Sequence, residues 1–204
     1  IDTAEGAHKE IENILQRMRE IAVQASNDTN NGQDRDNLQA EMDAMSKEVD
    51  RIAGTTTWAG ANLMNASSSS FSFQVGSATG TQNQIAVDIT TMNAAGLKVD
   101  ETDVNLTASA SSRFTAIDNV DAAIKSVNDQ RSALGAVSNR LNHTVNNLTN
   151  ISSNLSAAKG GIEDADFALE TTNLAKNQIL QQASTAMLAQ ANASKQNVLS
   201  LLQG

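Results

Sequence analysis

From Ile117 to Leu155, apolar side chains return at steps of three and four almost without a break. The residues are Ile117, Val120, Ile124, Val127, Leu134, Val137, Leu141, Val145, Leu148, Ile151 and Leu155. That period marks a helix with a single greasy seam. The chain contains no proline, so the strongest helix breaker is missing. The pattern predicts a helix from about Arg113 to Lys159. At 1.5 Å per residue it would run roughly 65–70 Å, which outruns any globular core that 204 residues can build. Its seam must therefore lie along other long helices. Gly160-Gly161 is expected to interrupt it. Glu163-Asp164-Ala165-Asp166 would then restart a helix, with acids at its positive N-terminal end.

Two shorter seams precede it. Over residues 1–26, Ile11, Ile14, Leu15, Met18, Ile21, Ala22 and Ala25 share one stripe, and Glu5 and Lys9 form an i,i+4 pair in the favourable order. The run Asn27-Asp28-Thr29-Asn30-Asn31-Gly32 stops that helix. A second starts at about Asp34, an N-cap or first-turn acid, and carries Leu38, Met42, Met45, Val49 and Ile52. Gly54 and Thr55-Thr56-Thr57 end it. The period then changes to two. Phe71, Phe73 and Val75 alternate with polar residues, as do Ile85, Val87 and Ile89, and a Gly/Ser/Thr-rich stretch from Gly76 to Gln84 joins them. This reads as a hairpin at about 71–90, which needs a helix to lie on.

A polar low-complexity stretch, residues 107–112, leads back to helix. The last helix, 167–202, repeats Leu180, Ala183, Met187, Ala191, Ser194, Val198 and Leu201 on one face. Residues 167–204 carry only three charges: Glu170, Lys176 and Lys195. A small-residue, nearly uncharged face suits close helix–helix approach in an assembly. Alone it buries too little to offset the entropy of ordering it. The fold class expected is mainly α: a long antiparallel helical coiled-coil rod with a small β-hairpin.

Most chemistry is excluded. Without cysteine there is no disulfide, thiolate metal site or cysteine nucleophile. The net charge of −9 argues against a nucleic-acid or anionic-membrane surface. No apolar run approaches the ~18 residues of a membrane-spanning helix. Glu5 and His8 have the Glu-x-x-His spacing of di-iron bundles, but those sites need two copies and two further inward acids. The pair reads as two surface residues at chance spacing. The acid pairs Asp34/Asp36 and Asp164/Asp166 read as helix N-terminal acids, and Met18, Met42, Met45 and Met187 as core. Neither a phosphate-binding loop nor a nucleophile elbow occurs. The chain is expected to be no enzyme and to hold no cofactor or metal.

Six stretches carry a resemblance. They are Leu15-Gln16-Arg17-Met18-Arg19-Glu20-Ile21-Ala22-Val23-Gln24-Ala25; Gln39-Ala40-Glu41 with Glu48-Val49-Asp50-Arg51-Ile52-Ala53; Thr57-Trp58-Ala59-Gly60-Ala61-Asn62-Leu63; Phe73-Gln74-Val75-Gly76; Leu134-Gly135-Ala136-Val137-Ser138-Asn139-Arg140-Leu141; and Gln196-Asn197-Val198-Leu199-Ser200-Leu201-Leu202. In this order, and over nearly the whole chain, they resemble bacterial flagellin. The first two are similar to its first two core helices. The third is similar to the turn after them, with Trp58 and Ala59 where Phe and Asn are common. The fourth resembles its hairpin, and the last two its long C-terminal helix and its C-terminus. By the same resemblance, the family's N-terminal core segment has no counterpart ahead of Ile1. The variable outer domains are missing too. Because the chain opens on Ile1 and not Met, a fragment or processed form is expected.

The resemblance implies a secreted structural subunit of the extracellular flagellar filament, exported unfolded through the type III channel and polymerised for motility. It implies a helical rod over 1–160, with the hairpin on it, and an inner filament-tube helix over 161–204. The partners it implies are other flagellin subunits, a flagellar export chaperone and a host Toll-like receptor. Receptor contacts would fall on Arg17, Ile21, Gln24 and Glu41, with Ile21 where Leu is usual. Assembly or chaperone contacts would fall on Leu180, Met187, Val198, Leu199, Leu201 and Leu202. Leu199, Leu201 and Leu202 also match the stretch read by an intracellular inflammasome sensor. Two alternatives compete: a hook–filament junction protein, and a secreted helical binding module using the rod as a stalk. The match over Arg17–Gln24 and at the C-terminus favours flagellin.

Overall fold

A computed structural model describes residues 1–65 and 69–202, with the side chains of 69, 164–166, 196 and 198–202 left aside. In chain order the elements are α1 (Asp2–Ala25), α2 (Gly32–Thr55), β1 (Thr57–Trp58), β2 (Ala61–Asn62), β3 (Ser69–Gln74), a 3-10 turn (Thr81–Asn83), β4 (Gln84–Ile89), α3 (Ala94–Leu97) and α4 (Ala110–Leu202). They fall into two compact units, residues 1–144 and 145–204.

The first unit is an antiparallel helical bundle. α1 buries Ala4, His8, Ile11, Leu15, Met18, Ala22 and Ala25 at alternating steps of four and three, with Ile21 beside them. α4 answers with Arg113, Ala116, Val120, Ala123, Val127, Gln130 and Leu134 at the same spacing. The two helices run in opposite directions: Arg19 meets Asp121 at one end, and Glu12 meets Arg131 at the other. Each fully buried Ile, Leu or Met contributes about 1.5–3 kcal/mol of hydrophobic stabilisation. On α2 the deepest residues are Met42, Ser46, Val49 and Ala53. The expected seam members Leu38, Met45 and Ile52 are only partly buried. Small Ser46 and Ala53 turn inward, where short side chains let helices approach closely.

The α1–α2 turn is hydrogen-bonded throughout. Asn30 Nδ2 donates to the carbonyls of Gln24 and Asn27, and the Arg35 guanidinium donates to those of Ala25 and Asn27. Asn31 caps α2: its side chain accepts from Asp34 N at 2.9 Å, while Asp34 accepts from Asn31 N at 3.0 Å. This reciprocal box satisfies two of the helix's orphan donors. Asp34 is thus the first-turn acid, and Asn31 is the cap.

β1 and β2 pair around Ala59 and Gly60, both with positive φ (49° and 83°), as a two-residue hairpin turn requires. Asn62 then closes α2 from below. Its Nδ2 donates to the carbonyls of Ala53 (3.0 Å) and Gly54 (2.9 Å). β3 and β4 pair antiparallel, with Phe71 opposite Val87 and Phe73 opposite Ile85. Ile85, Val87 and Ile89 are buried while their neighbours face water, the expected period of two. Val75 falls just past β3. Gln130 on α4 holds this hairpin, donating to the Asp88 carbonyl (2.8 Å) and accepting from the Thr90 hydroxyl (3.1 Å). Gln39 on α2 does the same for the segment before α4, accepting from Leu106 N at 2.6 Å and donating to the Val104 carbonyl.

Two expectations are corrected. Gly160 and Gly161 do not interrupt the long helix, since α4 passes through both. Neither glycine takes a positive φ. Each costs roughly 0.5–1 kcal/mol relative to Ala, too little to stop a proline-free helix, and Lys159 and Glu163 pair across them at 3.5 Å. Nor is His8 a surface residue. It is fully buried, while Glu5 is exposed. One seam step back from Ile11 lands on it.

The second unit consists of α4 beyond Thr144. Its apolar residues stand open: Val145, Leu148, Ile151, Leu155, Ile162, Phe167, Leu169, Leu174, Ile179 and Leu188 are all exposed.

Candidate functional site

Two surfaces carry residues singled out by the sequence. The first lies where α1 and α2 face each other near their turn. Arg17 projects from α1, and its Nε and Nη2 both reach Glu41 Oε1 on α2, at 3.2 and 2.8 Å. Its Nη1 donates to Glu20 Oε2 at 2.9 Å, one turn along α1. The Glu41 hydrogen bonds foremost, then those to Glu20, push the guanidinium's pKa still higher. Arg17 is thus a fixed positive centre between two carboxylates, with all three side chains largely in water. Gln24 is exposed two turns further along. With Glu41, Asn30, Asp34, Asn37 and Leu38 it lines a shallow groove of about 310 Å³. The arrangement presents amides and paired charges.

Ile21 does not join this surface. It is fully buried in the α1 seam. Asn30 and Asn37 were not foreseen as neighbours of Gln24, because single polar residues on a turn and a helix carry no periodic signal. Glu20 could have been found, since three residues C-terminal to Arg17 is helical ion-pair spacing.

The second surface is on the second unit. Leu180 is 54% exposed, and Met187, expected in the core, is 74% exposed because no second surface among the described residues covers it. Val198, Leu199, Leu201 and Leu202 fall on the helix, but their side chains lie outside the described residues. Among the described residues no group of acids and histidines could hold a metal ion, and no helix is long and apolar enough to cross a membrane.

These surfaces sit on a fold with known relatives. The family model for the bacterial flagellin N-terminal helical region matches residues 1–69, and that for the bacterial flagellin C-terminal helical region matches residues 117–202. The flagellin of Halalkalibacterium halodurans is 42% identical over 203 residues, spanning all of this chain and 74% of that protein. The chain belongs to the bacterial flagellin family. The flagellin of Bacillus subtilis is 41% identical over 234 residues, again across the whole chain and 76% of its own length. The crystal structure of Bacillus cereus flagellin superposes with a TM-score of 0.60 at 31% identity, covering 72% of this chain and 82% of that one.

The chain is accordingly a structural subunit of the extracellular flagellar filament, one that assembles with other flagellin subunits. Flagellins are a family of structural proteins. The expected fold class, mainly α with long helices and a small β-hairpin, is in place.

Proposed function

We propose that residues 161–204 are this flagellin's inner filament-tube segment and residues 1–160 its rod, and that copies join through the apolar face around Leu180, Met187, Val198, Leu199, Leu201 and Leu202. One observation carries the reading: Ile162, Phe167, Leu169, Leu174, Ile179, Leu180, Met187 and Leu188 are each more than half exposed. Apolar area on this scale seeks a cover. At roughly 25 cal/mol per Å² its burial between copies supplies a large association energy, and the few charges over 167–204 leave little to oppose close packing. Before assembly the same face suits an export chaperone. The chain's work is mechanical, with no catalysis. Substituting Met187→Glu in the full chain should abolish growth on filament seeds seen by electron microscopy, while the thermal melt of the first unit stays put. Normal filament growth by this variant would reject the assignment.

The α1–α2 surface supports a second role. Arg17, Gln24 and Glu41 suit recognition by a host Toll-like receptor, with Ile21 fixing the helix beneath them. The favouring observation is Arg17's clasp by two carboxylates, which presents a preformed charge pattern at little entropic cost. Arg17→Ala should weaken receptor binding at least tenfold in a surface-binding assay. An unchanged affinity would remove this site from the reading.

A further inference from the structure

The α1 seam contains one residue that neither assembly nor recognition uses. His8 occupies a core position between Ala4 and Ile11. Its ring is fully buried, and neither Nδ1 nor Nε2 has a hydrogen-bond partner. Beside it Arg131 from α4 is held by Glu12 and, at 3.9 Å, by Glu5. The Arg131 Nε is itself buried without a partner. Among the described residues the charges that bear on the ring are Arg131 across the seam and Glu5 on its own helix, with none from α2 or the hairpin.

An apolar side chain of similar size would fill this position without orphaned polar atoms. Histidine adds a response to protons. We propose that His8 is an acid trigger in the core of the first unit, whose protonation loosens the α1–α4 seam and opens this unit at mildly acid pH. The neutral ring is tolerated in the core. The imidazolium would need acceptors for two N–H groups and a counter-charge, and it would meet a guanidinium.

Burial foremost holds the ring's pKa below its ordinary value; the nearby Ala4 backbone raises it by less, Arg131 adds to the lowering and Glu5 opposes it. The unfolded chain takes up its proton near 6.5, and the folded chain only at lower pH. Stability is therefore complete above about 6.5 and is lost as pH falls through the folded-state value. Within that window one proton raises the unfolding equilibrium constant by up to about tenfold per pH unit. The second unit contains no histidine, so the trigger acts on residues 1–144 and leaves the assembly segment untouched.

The chain has two histidines, and the other, His143, is exposed on α4. The test is an NMR titration of the full chain. The His8 ring should take up its proton below the ordinary histidine value of about 6.5. The urea midpoint should fall between pH 7.5 and pH 5.0 in the unaltered chain, and fall much less in His8→Met. Titration of His8 at or above that value, or parallel pH dependences of the two midpoints, would overturn the proposal. If His8→Met does not fold, the NMR titration of the unaltered chain decides the matter by itself.

Discussion

Gln39 and Gln130 show how single side chains hold this fold together. Each is an amide on a helix that satisfies backbone groups of a segment far away in sequence: Leu106 and Val104 for Gln39, Asp88 for Gln130. Losing such a partner leaves buried N–H and C=O groups unpaired, which costs more than the hydrogen bond itself returned. Gln39→Leu should therefore destabilise the first unit by about 1–3 kcal/mol, measured by urea unfolding. A change below a few tenths would show that water replaces the amide. Neither glutamine was legible as a tie, because a polar residue on a helix reads as solvated until the partner segment is known. The same limit hid His8, whose place on the seam was legible by counting but whose polarity argued for the surface. It also left Ile21 with two readings, core residue or contact, and the packing of α1 made it core.

At the scale of elements, local chemistry reads well. The Asn31/Asp34 box, the Ala59-Gly60 turn and the alternation of Ile85, Val87 and Ile89 all rest on neighbours within a few residues. The long helix is the instructive miss. Two adjacent glycines looked like a stop, yet their cost is small beside the hydrogen bonds of a helix that continues on both sides. At Gly160 and at Gly161 an added Cβ would meet nothing within 4 Å. Gly160→Ala and Gly161→Ala should each stabilise α4 by about 0.4–1 kcal/mol. The check is a rise in helicity by circular dichroism and slower amide exchange around residue 160. A loss of helicity on either substitution would mean that the glycines serve some contact outside the chain.

For the whole molecule, every buried hydrophobic residue among those described lies at or before Leu134. The first unit thus has its own core, and a chain ending at Thr144 should fold with a urea midpoint close to that of the full chain. It should fail to polymerise. A midpoint lowered by more than about 1 M would mean that residues 145–204 support the core, since a slope of about 1–3 kcal/mol per M makes that a large change. What the amino-acid order determined alone was the set of periods: helical seams at threes and fours, strands at twos, and the caps and turns between them. These are fixed by backbone geometry and near neighbours. The tertiary structure decided which stretch of each seam is covered. The stripe that begins at Ile117 is packed as far as Val137 and, among the described residues, open from Val145 onward, with no change in its pattern. Periodicity belongs to a single helix, whereas burial requires a second surface, and among the described residues one lies only against the first part.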